Sequence, residues 1–404
     1  MYLSARAFGR TMKVGLGLGL IAIMATGVRA QSLTAIEVMS NLDNPYGLAI
    51  GPDGTLYVSE GGVGGSGTTV VGATGPQSYG STGALTRLRN GVQTRVVTDL
   101  PSLAPTGGAE AAGLSDIAFR NGSLYGLIGF IGDPALRAGI SETTDFGKLV
   151  RFDLTNGTYT AVADISQVES DLNPNGADPV DDINSNPYGL LATSDGFLIA
   201  DAGGNSLIRA TETAPGTDTF NLAVQGIFGS KPNPTPVGPP FAQAVPTAVA
   251  ADGSGNLFVS QLTGFPFNPG TADIFTLAAG GGVIGVLPTP DGPYSYLTDL
   301  VFSNGSLYAL QYATSFALGA GWQGPGLLWR IDPTTGDRTL LYSGLTNPTG
   351  LLVTDDGRIF VTDRGGTPGI GRVLELTAAP EPGAFGLLTL GLAAVGILRR
   401  KRRA

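Results

Sequence analysis

NPYGLAIGPDGTLYVSEGG, residues 44–62, returns as NPYGLLATSDGFLIADAGG at 186–204 and as NPTGLLVTDDGRIFVTDRGG at 347–366, with looser copies beginning at 114, 245 and 297. Each copy is a short apolar run, a turn of Asp, Asn or Gly, and a second apolar run. Two such runs joined by Asp-Gly or Asn-Gly predict an antiparallel hairpin, because these residues tolerate the positive φ that a tight connection requires. A second pair of candidate strands follows, as at 83–100, 147–165 and 326–344. The repeating unit is therefore four strands.

Aligned on Leu48, Ile117, Leu190, Val249, Leu300 and Leu351, the copies are 69, 73, 59, 51 and 51 residues apart. Four short strands repeated at that spacing predict an all-β, six-bladed β-propeller, in which each small sheet buries its faces on its neighbours. The last copy and the segment 371–378 supply only three strands. LTAIEVMSNL at 33–42 stands where a fourth strand precedes later copies. Pairing the two would close the ring and remove an open edge; otherwise 33–42 is a stray edge strand.

The ends differ from the middle. Arg6, Arg10 and Lys13, an apolar run, and Val28-Arg29-Ala30 read as a secretory signal over 1–30, cleaved after Ala30, with an uncleaved anchor as the alternative. The propeller is expected over 31–379. The tail 380–404 joins Pro380, Glu381 and Pro382 to an apolar stretch and five basic residues. It resembles the PEP-CTERM sorting signal of exported Gram-negative proteins. That resemblance implies removal by an exosortase, often beside exopolysaccharide secretion, and an address at the cell surface or extracellular matrix. Membrane contact is then confined to a transient C-terminal helix; an ordinary C-terminal anchor is the alternative.

Without the two ends the chain has 14 basic and 31 acidic residues. That surface disfavours nucleic acid and anionic membranes and attracts divalent cations. Cysteine and histidine are absent, which excludes Ser-His-Asp triads, imidazole bases and His-bound zinc.

The hairpin turns are tight, whereas the long segments 61–82, 129–147, 166–186, 229–245, 262–272, 288–296 and 313–325 all fall on the opposite face, where binding is expected. Second strands end there in Glu60, Ile128, Asp201, Gln261, Gln311 and Asp363. The five polar ones are expected either to ring the channel mouth or to cap turns. Tyr46 and Tyr188 line the same mouth or pack between blades. In the loop 171–182, Asp171, Asn173, Asn175, Gly176 and Asp182 fit positions 1, 3, 5, 6 and 12 of a Ca²⁺ loop. Against this stand Asp in place of Glu at the last position, prolines at 174 and 179, and no predicted flanking helices; a solvated Asx-turn loop is the alternative.

The NPYGL copies, LIGFIGDPALR at 127–137 and NPNGADPVDDINSNPYGLL at 173–191 resemble the ScyD/ScyE family of exported proteins, and DAGGNSLIRA at 201–210 is similar to one NHL-type repeat. The resemblance implies association with scytonemin-type sheath pigment and carries over no catalytic residue. The expected function is a ligand- or partner-binding accessory scaffold engaging extracellular polysaccharide or surface proteins. The alternative resembles the calcium-dependent lactonases and esterases on six-bladed propellers, with Glu60, Asp201 and Asp363 as channel carboxylates.

Overall fold

The computed structural model describes residues 33–378 apart from 144, 181 and 279, and among them the repeat pattern becomes six consecutive antiparallel sheets. Blade 1 contains Pro45–Ile50, Leu56–Glu60, Gly75–Arg89 and Val92–Ala104; blade 2, Leu114–Arg120, Ser123–Ile128, Lys148–Asp153 and Thr158–Asp164; blade 3, Pro187–Thr193, Gly196–Asp201, Ser206–Glu212 and Phe220–Ile227. Blade 4 contains Pro246–Ala251, Leu257–Gln261, Ile274–Leu277 and Val283–Val286; blade 5, Leu297–Ser303, Ser306–Gln311, Gly326–Ile331 and Arg338–Leu345; blade 6, Gly350–Val353, Ile359–Asp363 and Gly371–Ala378. The fourth strand of blade 6 is Leu33–Leu42, running antiparallel to the third from Leu33 opposite Ala378 to Leu42 opposite Gly371. The chain is an all-β six-bladed propeller whose first strand closes its last blade. The expected signal segment 1–30 and the tail with Pro380, Glu381 and Pro382 lie outside the described residues.

Local chemistry accounts for the hairpins. In blades 2 and 5, Asn121-Gly122 and Asn304-Gly305 have φ of 51° and 79°, and of 49° and 76°. Positive φ at both central residues is the turn whose twist matches two paired strands.

The core is divided among the seams between blades. Leu85 and Val97 of blade 1 pack with Ile117 and Phe152 of blade 2, and Leu127 and Leu149 of blade 2 with Leu190 and Ile199 of blade 3. Comparable clusters fill the other four seams. Burying one such side chain contributes about 1.5–3 kcal/mol, so a blade is stable only between neighbours. One local expectation fails: a helix, Gln167–Leu172, immediately precedes the proposed Ca²⁺ loop and takes Asp171 into its last turn.

Candidate functional site

The innermost strands of the six blades stand side by side around the ring. Two positions before the aligned apolar residue they carry Tyr46, Ser115, Tyr188, Thr247, Thr298 and Thr349. Four of these hydroxyls stitch each blade to the next. Ser115 Oγ donates to the carbonyl of Pro187 at 3.0 Å, Thr247 Oγ1 to Leu297 at 2.9 Å, Thr298 Oγ1 to Pro348 at 3.0 Å and Thr349 Oγ1 to Pro45 at 2.5 Å. Tyr46 and Tyr188 instead project into the channel and pack edge to face, 5.9 Å between centroids.

The next position holds Gly47, Asp116, Gly189, Ala248, Asp299 and Gly350. Glycine is required where seams close tightly: a Cβ on Gly47 would lie 2.0 Å from Asp116 Oδ1, and one on Gly350 2.0 Å from the carbonyl of Tyr46. Asp116 and Asp299 stand on opposed blades. Each accepts the amide of its own next residue, Ile117 at 2.8 Å and Leu300 at 2.7 Å, and an amide of the following blade, Leu190 at 2.7 Å and Leu351 at 2.6 Å. Burial raises the Asp116 carboxyl well above its ordinary range, with the charge of Asp299 adding to it, and burial pushes Asp299 up to about 7 against its two amide bonds. The pair flanks a void of about 10 Å³ at the waist of the channel, room for about one water. Toward the hairpin face the channel widens to about 350 Å³, walled by Leu48, Ile117, Leu190, Val249, Leu300 and Leu351.

Toward the loop face, Tyr46 and Tyr188 floor a cup of about 210 Å³ whose walls include Leu262, Phe267, Tyr312 and Trp322. Trp322 rides on a small hairpin, Ser315–Ala317 and Gly321–Gln323, inserted in blade 5. Its ring lies 5.0 Å from Phe267 and 5.1 Å from both Tyr296 and Tyr312. Trp322 Nε1 donates to Glu110 Oε1 at 3.3 Å, which ties this hairpin to the connection between blades 1 and 2. Tyr46 Oη donates to the carbonyl of Ala111 at 3.0 Å. Burial raises the phenols of Tyr46, Tyr188 and Tyr312, and nearby negative groups, Glu110 for Tyr46 and Tyr312, raise them further. The cup thus offers neutral aromatic faces and hydroxyls. Glu110 is the one charged side chain on its wall among the described residues.

Of the residues expected at the mouth, the structure brings Tyr46 and Tyr188 together there. The five polar ones are buried inside their blades. Glu60 accepts from the Asp43 amide at 2.7 Å, from Thr86 Oγ1 at 2.5 Å and from Arg95 Nη2 at 2.6 Å. Asp363 does the same with the Thr346 amide at 2.6 Å and Arg372 Nη2 at 2.7 Å. Asp201 accepts the amides of Asn186, Gly203 and Gly204. Gln261 donates to the carbonyl of Ala244 at 3.2 Å and Gln311 to that of Ala313 at 2.8 Å. These side chains cap the chain as it enters or leaves the blades. The residues that face the cup are one position further on, Ala202, Leu262 and Tyr312, because side chains along a strand alternate between its faces.

In the 171–182 loop, the first and last of the expected Ca²⁺ ligands have side-chain partners of their own. Asp171 and Asp182 are exposed, the first accepting from Gln167 Nε2 at 2.7 Å and the second from Gln243 Nε2 at 2.5 Å. Asn173 ends the helix in a left-handed conformation, and Asn175 is buried. Outside the channel, a cavity of about 640 Å³ runs along blades 2 and 3; of its charged groups, Arg151 and Asp218 pair at 2.9 Å and Asp153 accepts from Asn156 Nδ2 at 2.7 Å.

No family model and no curated protein matches the chain. Similar solved structures include an α-L-arabinanase of Penicillium chrysogenum complexed with arabinobiose, at 12% identity and a TM-score of 0.49, covering 86% of this chain and 98% of that one. Others are a glucose dehydrogenase, at 12% and 0.49 over 86% and 100% of the two chains, and a provisionally named gluconolactonase, at 14% and 0.46 over 85% and 92%. The assignment of this chain to the six-bladed propellers rests on its own strand pairing and ring closure.

Proposed function

We propose that this propeller is an exported, surface-associated binding protein that takes a small ligand with a flat apolar face into the cup above the channel. The observation that carries this reading is the convergence of Tyr46, Tyr188, Phe267, Tyr312 and Trp322 on one cavity of about 210 Å³. Stacking on such rings contributes about 0.5–1.5 kcal/mol per aromatic pair beyond the area buried. The resemblance to ScyD/ScyE proteins and the PEP-CTERM-like tail support a role outside the cell, with exosortase processing and an accessory function in sheath pigment or exopolysaccharide assembly. The hydrolase alternative does not draw on Glu60, Asp201 or Asp363, whose carboxylates are buried within the blades and do not line the cup. What favours it is the pair Asp116 and Asp299 below the cup.

The chain has two tryptophans. Trp329 lies in blade 5, with the Arg338 guanidinium 4.6 Å from its ring, so Trp322 is the reporter at the cup. Indole or phenol, glucose or arabinose, and a sugar lactone are titrated while intrinsic fluorescence is read. The expected result is a saturable change with the aromatic probe, weakened about tenfold in Tyr188→Ala by the loss of about 1.4 kcal/mol of stacking. A change that never saturates, or one identical in Tyr188→Ala, defeats the proposal. Saturation by the sugars alone moves the ligand class to carbohydrate, and release of acid from the lactone establishes hydrolysis.

A further inference from the structure

Three side chains around the loops of blade 3 are buried with an oxygen that has no hydrogen-bond partner: Asn175, Asn184 and Ser206, at 3%, 7% and 1% exposure. Both amide atoms of Asn175 are in this state. Leaving a buried polar atom unpaired is costly, and Asn184 and Ser206, both beside the Asp201–Ser206 turn, call for a partner other than protein.

Two buried carboxylates stand beside these two. Glu169 Oε2 and Asp201 Cγ lie 2.8 and 3.3 Å from the point a Cβ on Gly204 would occupy, so these two atoms are within about 6 Å of each other. The backbone carbonyl oxygen of Asn184 is 3.4 Å from the same point, and Asn184 Oδ1 is 2.9 Å from the corresponding point on Gly203. The paired glycines leave the room in which these oxygens gather. Asp201 Oδ1 is taken by the three backbone amides, but Oδ2 accepts only Ser185 Oγ, at 2.6 Å. A carboxylate oxygen has a second acceptor direction, and it remains on that atom.

We propose that a calcium ion binds between the helix Gln167–Leu172 and the turn Asp201–Ser206, held by oxygens of Glu169, Asp201 and Asn184, with Ser206, paired opposite Asp201, completing the set. The ligands are all oxygen and include two carboxylates, which suits a hard cation with several ligands at about 2.3–2.6 Å. Magnesium, smaller and reluctant to shed water, fits a loop-built cage of this kind less well. The ion would fasten the 166–186 loop to blade 3 just before Asn186 and Tyr188, both of which line the cup. This inference does not depend on what the cup binds.

The test uses the full-length protein stripped with EDTA, with thermal midpoints and titration calorimetry in millimolar Ca²⁺ or Mg²⁺. Calcium should bind once per chain and raise the midpoint by roughly 3 °C or more at a hundredfold excess over Kd, with magnesium well behind. Glu169→Gln should lose at least tenfold in calcium affinity, and Asp171→Ala, which alters only the exposed end of the helix, should lose none. Should Glu169→Gln fail to fold, Ser206→Ala provides the same comparison with a smaller loss. No calcium heat and no shift in the native protein overturns the site. So does a shift that survives in folded Glu169→Gln, or one abolished by Asp171→Ala.

Discussion

At the scale of single residues, the most consequential departures from the repeat are Asp116 and Asp299, which stand where blades 1, 3 and 6 have glycine. Both carboxyls are raised, Asp299 to about 7 from an ordinary 3.8. Between those two values the folded protein holds a proton that the unfolded chain has released. Folding therefore takes up protons in this window, and the pair's contribution to stability falls as pH rises through it. For Asp299 the full span is on the order of 4 kcal/mol. The exposed carboxyls of Asp53, Asp153 and Asp332 are lowered by hydrogen bonds, so they act below this window and with the opposite sign. Asp201 is raised as well, and it is the difference between variant and native protein that isolates the pair. Asp299→Asn should flatten the fall in thermal midpoint between acidic and neutral pH. At the acidic end it should cost about 1–3 kcal/mol, because its NH₂ group then faces a backbone amide. An unchanged pH profile in that variant would show that the channel carboxyls are ionised throughout.

At the scale of elements, the hairpins were legible and the orientation of their side chains was not. Asp-Gly and Asn-Gly turns between apolar runs identify a hairpin from chemistry that acts within a few residues. Which way Glu60 or Gln311 points depends on the two-residue alternation. In these second strands the alternation leaves no trace, since every residue of Leu56–Glu60, Leu257–Gln261 and Ile359–Asp363 is buried. A strand covered on both faces has no polar face to mark its register. Tyr46 and Tyr188 were legible because they recur before the repeated glycine. Trp322, Phe267 and Glu110 belong to no copy of the repeat, and only the closed ring brings them to one mouth. Asp116 and Asp299 were visible in the aligned copies as acids in a glycine column, a signal that calls for the alignment to be read across blades as well as along them. The cap at Glu60 also has a measurable weight. Arg95 on the fourth strand bonds both Glu60, whose side chain is fully buried, and Asp43, which follows the closing strand. Arg95→Ala strands a buried carboxylate, a loss of about 3–5 kcal/mol for fully buried pairs. With the Arg95 side chain 43% exposed, roughly 2 kcal/mol is expected. A urea midpoint within experimental error of the native value would mean that the Thr86 hydroxyl and the Asp43 amide suffice.

At the scale of the whole molecule, the question is whether the ring unfolds as one body, and the closing strand is where this can be asked. Leu33–Leu42 pairs with a strand more than 300 residues later in the chain, so its contacts form only after all six blades are in place. Half of its side chains are exposed, but Met39 and Leu42 are at 2% and 0% exposure and pack with Leu48, Val58 and Phe360 across the seam between blades 6 and 1. A stray edge strand would tolerate a charge at either kind of position. A strand that completes the last seam would not. Met39→Asp removes a buried apolar side chain and places a carboxylate among Leu and Val, and should cost about 3 kcal/mol or more. Ile36→Asp, at a residue 51% exposed in the same strand, should stay within about 0.5 kcal/mol. Urea unfolding followed by tryptophan fluorescence reads this from blade 5, far along the chain from the substitution. If Met39→Asp lowers the midpoint seen by Trp322 and Trp329, with the slope unchanged, closure and blade 5 belong to one cooperative unit. If the fluorescence transition stays in place while the total β signal loses amplitude early, blade 6 frays independently, and the ring is held by its five remaining seams rather than by its latch.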